Sequence, residues 1–311
     1  MIFDASTYGT DGDAIQYAID LALSAGEGRG GTVYVPRVRP HRAWVLTEPL
    51  RIAGGVRIVG DGASGAGHEW GGTILDARGA GCTAVEITNG RGLEMHSLSI
   101  KSDGHGIHLY PSATQKRTLS RLVFDTVSVE AGGVAFLMEG ETDNDQCDTI
   151  SLYDCQLKGE IGISSRSKQA VSVSMWGGSA SGSLYCVDHQ LGFLHLHGTN
   201  LHTQDGCQAA LRQKGGQSHL TLSGGCYCEC WSGHFLEIQG EHWRPTSIGV
   251  TRVIMQRGNT GRFIEAPFAR NLRVTAEATF ENDSQTFGTR PDRKPISVKI
   301  QAVRLGPGSQ P

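Results

Sequence analysis

No run of about 18 apolar residues occurs anywhere in the sequence, so no segment is built to cross a membrane as a helix. Positive charge is not in excess either. The chain has 28 Lys and Arg against 31 Asp and Glu, a formal net charge of −3 with histidines neutral. That balance argues against a nucleic-acid binder working through bulk charge. The 43 glycines follow no strict period of three, which excludes collagen. The eight cysteines lack the CxxC spacing usual for zinc, and a chain of 311 residues is too large to need disulfide staples. Cys226, Cys228 and Cys230 alternate, so in a strand all three face one side. A metal set with His234 is one reading of them, and buried free thiols are the plainer one. Met1-Ile2-Phe3-Asp4 lacks the basic-then-apolar layout of a secretion signal. This points to a cytoplasmic protein, to one carried on a particle such as a virion, or to a chain whose leader has been removed.

What is present is many glycines beside 38 % hydrophobic residues in short stretches, the composition of short strands joined by tight turns. One helix is expected over 13–25. Asp13 is placed as its N-cap, Ile15, Ala18, Ile19 and Ala22 as its apolar stripe, and Gly26 as its stop. Thr32-Val33-Tyr34-Val35-Pro36 reads as a strand ended by proline, and Val56-Arg57-Ile58-Val59-Gly60-Asp61-Gly62 as a strand and turn.

From residue 93 a pattern recurs. Its members begin at Leu93, Leu122, Ile150, Val171, Leu194, Leu220, Ile248 and Leu272, with spacings of 29, 28, 21, 23, 26, 28 and 24 residues. A second short apolar segment lies between most of them, as in Ile107-His108-Leu109, Val134-Ala135-Phe136, Ile161-Gly162-Ile163 and Leu236-Glu237-Ile238. Self-similarity at this period marks a solenoid, and two strands per repeat with no helix between them make it a β-solenoid. Stacked coils bury together what none can bury alone, and the helix covers the open end. No linker divides the chain. Residues 1–62 read as cap and first strands, 63–280 as stacked coils, and 281–311 as an extended tail with one strand, Ile296 to Val303.

The opening carries a resemblance. Tyr8-Gly9-Thr10-Asp11-Gly12-Asp13, Ala14-Ile15-Gln16-Tyr17-Ala18-Ile19-Asp20, Gly30-Gly31-Thr32-Val33-Tyr34-Val35-Pro36 and Val56-Arg57-Ile58-Val59-Gly60-Asp61-Gly62 resemble the start of the pectate-lyase-like β-helix superfamily. That grouping includes polysaccharide lyases, polygalacturonase-type hydrolases, mannuronan epimerases and phage tailspikes. The resemblance covers about a fifth of the chain and implies an all-β, right-handed parallel β-helix with an N-terminal capping α-helix and an affinity for carbohydrate. It does not choose a reaction. Its tailspike members are trimers, so a homotrimer is one assembly it implies.

Stacking predicts which distant residues meet, since equivalent positions lie about 4.8 Å apart on successive coils. The fourth position of the repeat gives His96, Asp125, Tyr153, Ser174, His197 and Ser223, and the second gives Glu94, Val123, Ser151, Ser172, His195 and Thr221. Glu94, His96, Asp125, Tyr153 and Asp154 then share one patch of wall, a set able to exchange protons at a glycosidic bond. A solvated polar face is the plain alternative. Asp103-Gly104-His105-Gly106 resembles the Gly-His-Gly of polygalacturonases, but the other motifs of that family are missing, and a tight turn explains the glycines equally. Arg166, Lys168, Arg212 and Lys214, with Trp243 one coil further, read as cations and an aromatic platform for an acidic polysaccharide, or as ordinary loop charges. His195 and His197 extend the same binding surface. The segment Glu139 to Asp148, with Glu141, Asp143 and Asp145, is acidic enough for a groove lip or a calcium site, though it fits no EF-hand. No other cofactor or metal is called for.

Three functions follow from this reading. The leading one is a polysaccharide hydrolase or lyase, of which a tailspike-like depolymerase is one form. The second is a non-catalytic carbohydrate-binding or structural β-helix of the adhesin kind. The third is an epimerase sharing the lyase's proton abstraction.

Overall fold

Each short strand buries every second side chain, and the strand one repeat later supplies the surface that covers it. In the computed structural model all strands pair in parallel with their counterparts in neighbouring coils, from Ile2–Asp4 through to Ser297–Arg304. The structure describes the chain except residues 26–29, 39–42, 64–70, 112–117, 141–144, 215–217, 241–245, 257, 267–271, 281–296 and 305–311. Gly26, the expected helix stop, lies outside the described residues. The tail strand runs Ser297–Arg304, one residue on from its expected place.

The inward columns form the core. Val33, Ile58, Met95, Phe124, Leu152, Met175, Leu196, Leu222, Ile248 and Val274 follow one another in register. None is more than 1 % exposed. A second column runs Ile107, Phe136, Ile163, Val187, Leu211, Leu236 and Ile264, all buried. The rings of Phe124 and Phe136 meet edge to face at 5.1 Å and join the two columns across the coil.

The helix spans Gly12–Ala25 and buries Ala14, Ile15, Ala18, Ile19 and Ala22. Its N-cap is Asp11 rather than Asp13. The Ala14 amide donates to Asp11 Oδ1 at 3.2 Å, since a capping carboxylate sits just before the first helical residue and satisfies an amide of the first turn. Asp13 falls in the first turn, where its charge suits the helix dipole. The Gly60-Asp61-Gly62 turn of the opening motif fastens the first coils. Asp61 accepts from the Tyr34 hydroxyl at 2.6 Å and the Arg37 amide at 2.7 Å, and this anionic acceptor pushes the Tyr34 phenol up to about 12.

Register departs from the sequence expectation at two places. Ile150 pairs with Val173 rather than Val171, and Leu222 pairs with Ile248, so Ile248 sits two residues beyond its expected partner Leu220. Both slips are by two residues. Side chains in a strand alternate with period two, so a slip of two preserves which face is buried.

A left-handed corner closes the wall on one side. Ser97, Thr126, Asp154, Gly177, Gly198 and Gly224 take φ of 54°, 54°, 47°, 68°, 61° and 69° on successive coils. A Cβ on Gly177 would meet Asp154 Oδ1 at 2.2 Å, although that carboxylate is free to swing aside. Gly177→Ala is therefore expected to cost about 1–2 kcal/mol of stability, chiefly as backbone strain. Urea titration reads this against Gly71→Ala, where an added Cβ meets nothing within 4 Å.

All eight cysteines are free thiols, and Cys226, Cys228 and Cys230 point inward. Burial pushes the Cys147 and Cys155 thiols up to about 12 from an ordinary value of 9.0. A raised folded value means that the unfolded chain releases its protons first. The stability these groups contribute is then fully present below pH 9.0 and is lost progressively as pH rises through about 12. Urea midpoints should fall between pH 8 and pH 10.5, and Cys147→Ala with Cys155→Ala should flatten that slope.

Candidate functional site

The outward face between two corners carries the expected patch. Val59, His96, Asp125, Tyr153, Trp176, His197 and Ser223 form one column by register. Arg57, Glu94, Val123, Ser151, Ser174, His195 and Thr221 form the column beside it. His96 and Asp125 are thus vertical neighbours, as the repeat spacing requires.

Two carboxylates converge on His96. Its Nε2 lies 3.1 Å from Glu94 Oε2 and its Nδ1 lies 3.4 Å from Asp125 Oδ2. Arg57 Nε is 3.3 Å from the same Glu94 oxygen, and Thr126 Oγ1 donates to Asp125 Oδ1 at 3.0 Å. A neutral imidazole carries one N–H, so both carboxylate contacts are made only when the cluster holds an additional proton. Glu94, His96 and Asp125 therefore form a unit able to store a proton and deliver it at either end. Both carboxylates reach solvent, while the imidazole between them is largely covered.

Directly along the wall from Asp125 stands an aromatic pair. Tyr153 and Trp176 stack at 5.0 Å with an interplanar angle of 11°. They are 39 % and 37 % exposed, unusual for large rings on a polar face. The small Ser151 and Ser174 lie beside them in the second column. Beyond the pair come His197, whose Nδ1 is 3.0 Å from Ser223 Oγ, and His195, whose burial moves its imidazole below the usual range.

Other expected site residues sit elsewhere. Asp154 occupies the left-handed corner, with its carboxylate lying over Gly177 rather than beside Asp125. His105 accepts the Val134 amide at Nδ1, 3.0 Å away, and thereby fastens one coil to the next; burial, then the charge of His108, lowers its pKa. Arg166 and Arg212 lie on a different wall and are neutralised there. Arg166 donates to Glu139 at 3.1 Å, and the two nitrogens of Arg212 bind the buried Asp188 at 2.7 Å each while its guanidinium covers the Tyr185 ring. Lys168 is exposed near that wall. Trp243, Glu141 and Asp143 lie outside the described residues. Of the acidic segment that remains, Glu139 is held by His108 and Arg166, and Asp145 is buried. Among the described residues no group of three or more His, Cys, Asp or Glu side chains has metal-holding geometry, and no helix is long and apolar enough to cross a membrane.

Trp176 and Arg57 are the members of the wall that the repeat did not reveal. The expected register put Ser174 in the place of Trp176. Arg57 lies upstream of the first aligned repeat and joins the wall through its pairing with Glu94.

No protein-family model matches the chain, and no curated protein matches it in sequence. Solved structures share its winding. A tailspike protein, gp49 of Acinetobacter baumannii bacteriophage Fri1, described as a capsular polysaccharide depolymerase, superposes with a TM-score of 0.54 at 11 % identity, over 97 % of this chain and 63 % of the tailspike. The A-module of the Azotobacter vinelandii mannuronan C-5 epimerase AlgE6 superposes with a TM-score of 0.50 at 16 % identity, over 98 % of this chain and 100 % of the module. The fold is that of the right-handed parallel β-helix. The capping helix and coil stacking expected from the opening motif are both present. Identity this low carries the path of the chain and leaves its chemistry to the wall.

Proposed function

We propose that this protein binds a polysaccharide lengthwise along the wall from Glu94 to His197 and cleaves it at Glu94, His96 and Asp125. The observation that carries the reading is the exposed Tyr153–Trp176 stack, in register with an acid–base cluster on the same face. Aromatic faces bind the apolar faces of sugar rings, and a platform beside the cluster holds a polymer across it. Glu94 and Asp125 flank the His96 imidazole, so its two ring nitrogens can pass a proton between them. Asp125, nearer the platform, protonates the leaving oxygen. Glu94, ion-paired with Arg57, activates a water, and His96 returns the proton between them. Two fold neighbours that act on polysaccharides support the substrate class. A place on a virion, or outside a cell after secretion, is the setting in which such a polymer is met.

The Tyr153 phenol in register with Asp125 favours a second reading, proton abstraction beside a uronate as in elimination or epimerisation. A panel of capsular and plant polysaccharides, followed for reducing ends and for ultraviolet absorbance of unsaturated ends, separates the readings. Reducing ends alone are expected. Both signals together assign elimination, uptake of solvent deuterium into the polymer without either signal assigns epimerisation, and binding with none of these assigns a lectin-like role. Neither binding nor cleavage of any polymer overturns the proposal.

A further inference from the structure

Among the described residues, the exposed aromatic side chains outside the N-terminal cap are Tyr153, Trp176 and Trp231. The first two form the platform, and Trp231, 53 % exposed, has no place in it. Strand alternation sets its direction. Cys226, Cys228 and Cys230 face the core, so Tyr227, Glu229 and Trp231 face out together. Their strand, Cys226–Cys230, follows the left-handed corner at Gly224 and therefore belongs to a different face from the wall of His96 and Asp125. Four residues at about 3.3 Å each place Trp231 within roughly 13 Å of Tyr227. The backbone under Trp231 is pinned. Its amide and that of Ser232 donate to the buried Thr203 hydroxyl at 2.8 and 3.2 Å, and the Ser232 hydroxyl donates to the Gln204 carbonyl at 2.8 Å. A ring presented on a fixed backbone loses little further freedom when a ligand covers it.

Between the two rings an acceptor is held in place. Gln256 Nε2 donates to Glu229 Oε1 at 2.7 Å, and His202 Nδ1 lies 3.5 Å from Glu229 Oε2. His202 also tilts against the Tyr227 ring, with 6.3 Å between centroids. A carboxylate offers about four acceptor positions, so Glu229 keeps capacity for hydroxyl donors. Among the described residues no Lys or Arg lies within ion-pair distance of it. Arg252, in register with Tyr227, supplies donors at the other end of the face. Two rings with a fixed acceptor between them and donors beside them suit a ligand that combines apolar ring faces with many hydroxyls. The central carboxylate repels an anionic one. A protein partner would instead call for a contiguous apolar patch, and here a charged group separates the rings.

We propose that Tyr227, Glu229 and Trp231, with His202 and Gln256, form a second carbohydrate site that binds neutral sugar units without cleaving them. The site lies on its own face and does not depend on the wall's reading. Its test uses the full chain labelled with ¹⁵N, following indole Nε1–H signals during titration with maltotetraose, cellotetraose, mannotetraose or tetragalacturonate. The Trp231 signal is assigned by its loss in Trp231→Phe. At least one neutral tetrasaccharide is expected to shift that signal saturably, with tetragalacturonate binding about tenfold more weakly. Trp176→Ala should leave the shift unchanged. Calorimetry in the Trp176→Ala background, where the platform is removed, should show a loss of about tenfold in affinity for Trp231→Ala and for Glu229→Gln. No saturable shift with any neutral tetrasaccharide, equal or tighter binding of tetragalacturonate, or full affinity in both variants overturns the proposal. Self-association seen by sedimentation and abolished by Trp231→Ala assigns the face to a second copy of the chain and overturns it too. A protein that cleaves no polymer but shifts the Trp231 signal leaves this site standing, and cleavage with a silent Trp231 leaves the wall standing.

Discussion

Replacing Asp125 with Asn should lower polysaccharide cleavage by roughly 10²–10⁴ while leaving binding nearly intact. The amide keeps the shape of the carboxylate and can still meet the Thr126 hydroxyl, so the local fold has little to lose. What disappears is a proton donor at the end of the cluster nearest the aromatic pair. Asp125 is about half exposed, and a change at such a surface position typically moves stability by less than about 0.5 kcal/mol. Initial rates of reducing-end release and affinity electrophoresis, run on the same protein, separate the two effects. Unchanged rates would move the chemistry away from His96.

Trp176→Ala should act on the other term. Removing an aromatic platform at the centre of a contact surface costs about 2 kcal/mol or more, roughly a thirtyfold loss of affinity for the polymer. Tyr153 keeps its place but loses the ring stacked on it at 5.0 Å. Trp176→Phe should recover part of the loss, because a flat apolar face remains. Since the indole projects into solvent, thermal stability should move little. The signature is a raised KM with a nearly unchanged kcat, opposite to that of Asp125→Asn. A variant with lowered kcat and unchanged KM would mean that Trp176 serves the chemistry rather than the grip.

Much of this wall is readable in the chain itself. The steps from Leu93 to Leu122 to Ile150 carry enough matching residues to fix the register, and they bring Glu94, His96, Asp125 and Tyr153 together. The reading slips at Val171-Ser172-Val173-Ser174, where strict alternation looks identical after a shift of two. The corner would have resolved it. Every fourth-position residue from His96 to Ser223 is followed by one that tolerates a left-handed backbone or is forced into it, and Gly177 after Trp176 continues that series. Met175 after Ser174 breaks it. The neutralisation of Arg166 and Arg212 was hidden for a different reason. Their partners Glu139 and Asp188 lie one coil earlier on the second strands, whose mutual register the first-strand repeat does not set. Asp154 shows the limit of adjacency in sequence, since one residue past Tyr153 the chain has already turned the corner.

The two walls also differ in what they leave for a ligand. On the second, Glu139, His108, Arg166, Ser164, Asp188 and Arg212 satisfy one another in a continuous series of contacts. Such a closed network holds coils in place and has little charge left to offer. On the first, the carboxylates of Glu94 and Asp125 and parts of the Tyr153 and Trp176 side chains remain open to solvent. Function is assigned to the wall whose groups are arranged but not exhausted.

The most direct test is a crystal structure of the Asp125→Asn protein with an oligosaccharide cut from whichever polymer the wild type degrades. Sugar rings should lie over Tyr153 and Trp176, with a glycosidic oxygen within hydrogen-bond reach of position 125. An oligosaccharide seated instead along Arg166 and Arg212, with the aromatic pair bare, would contradict the account.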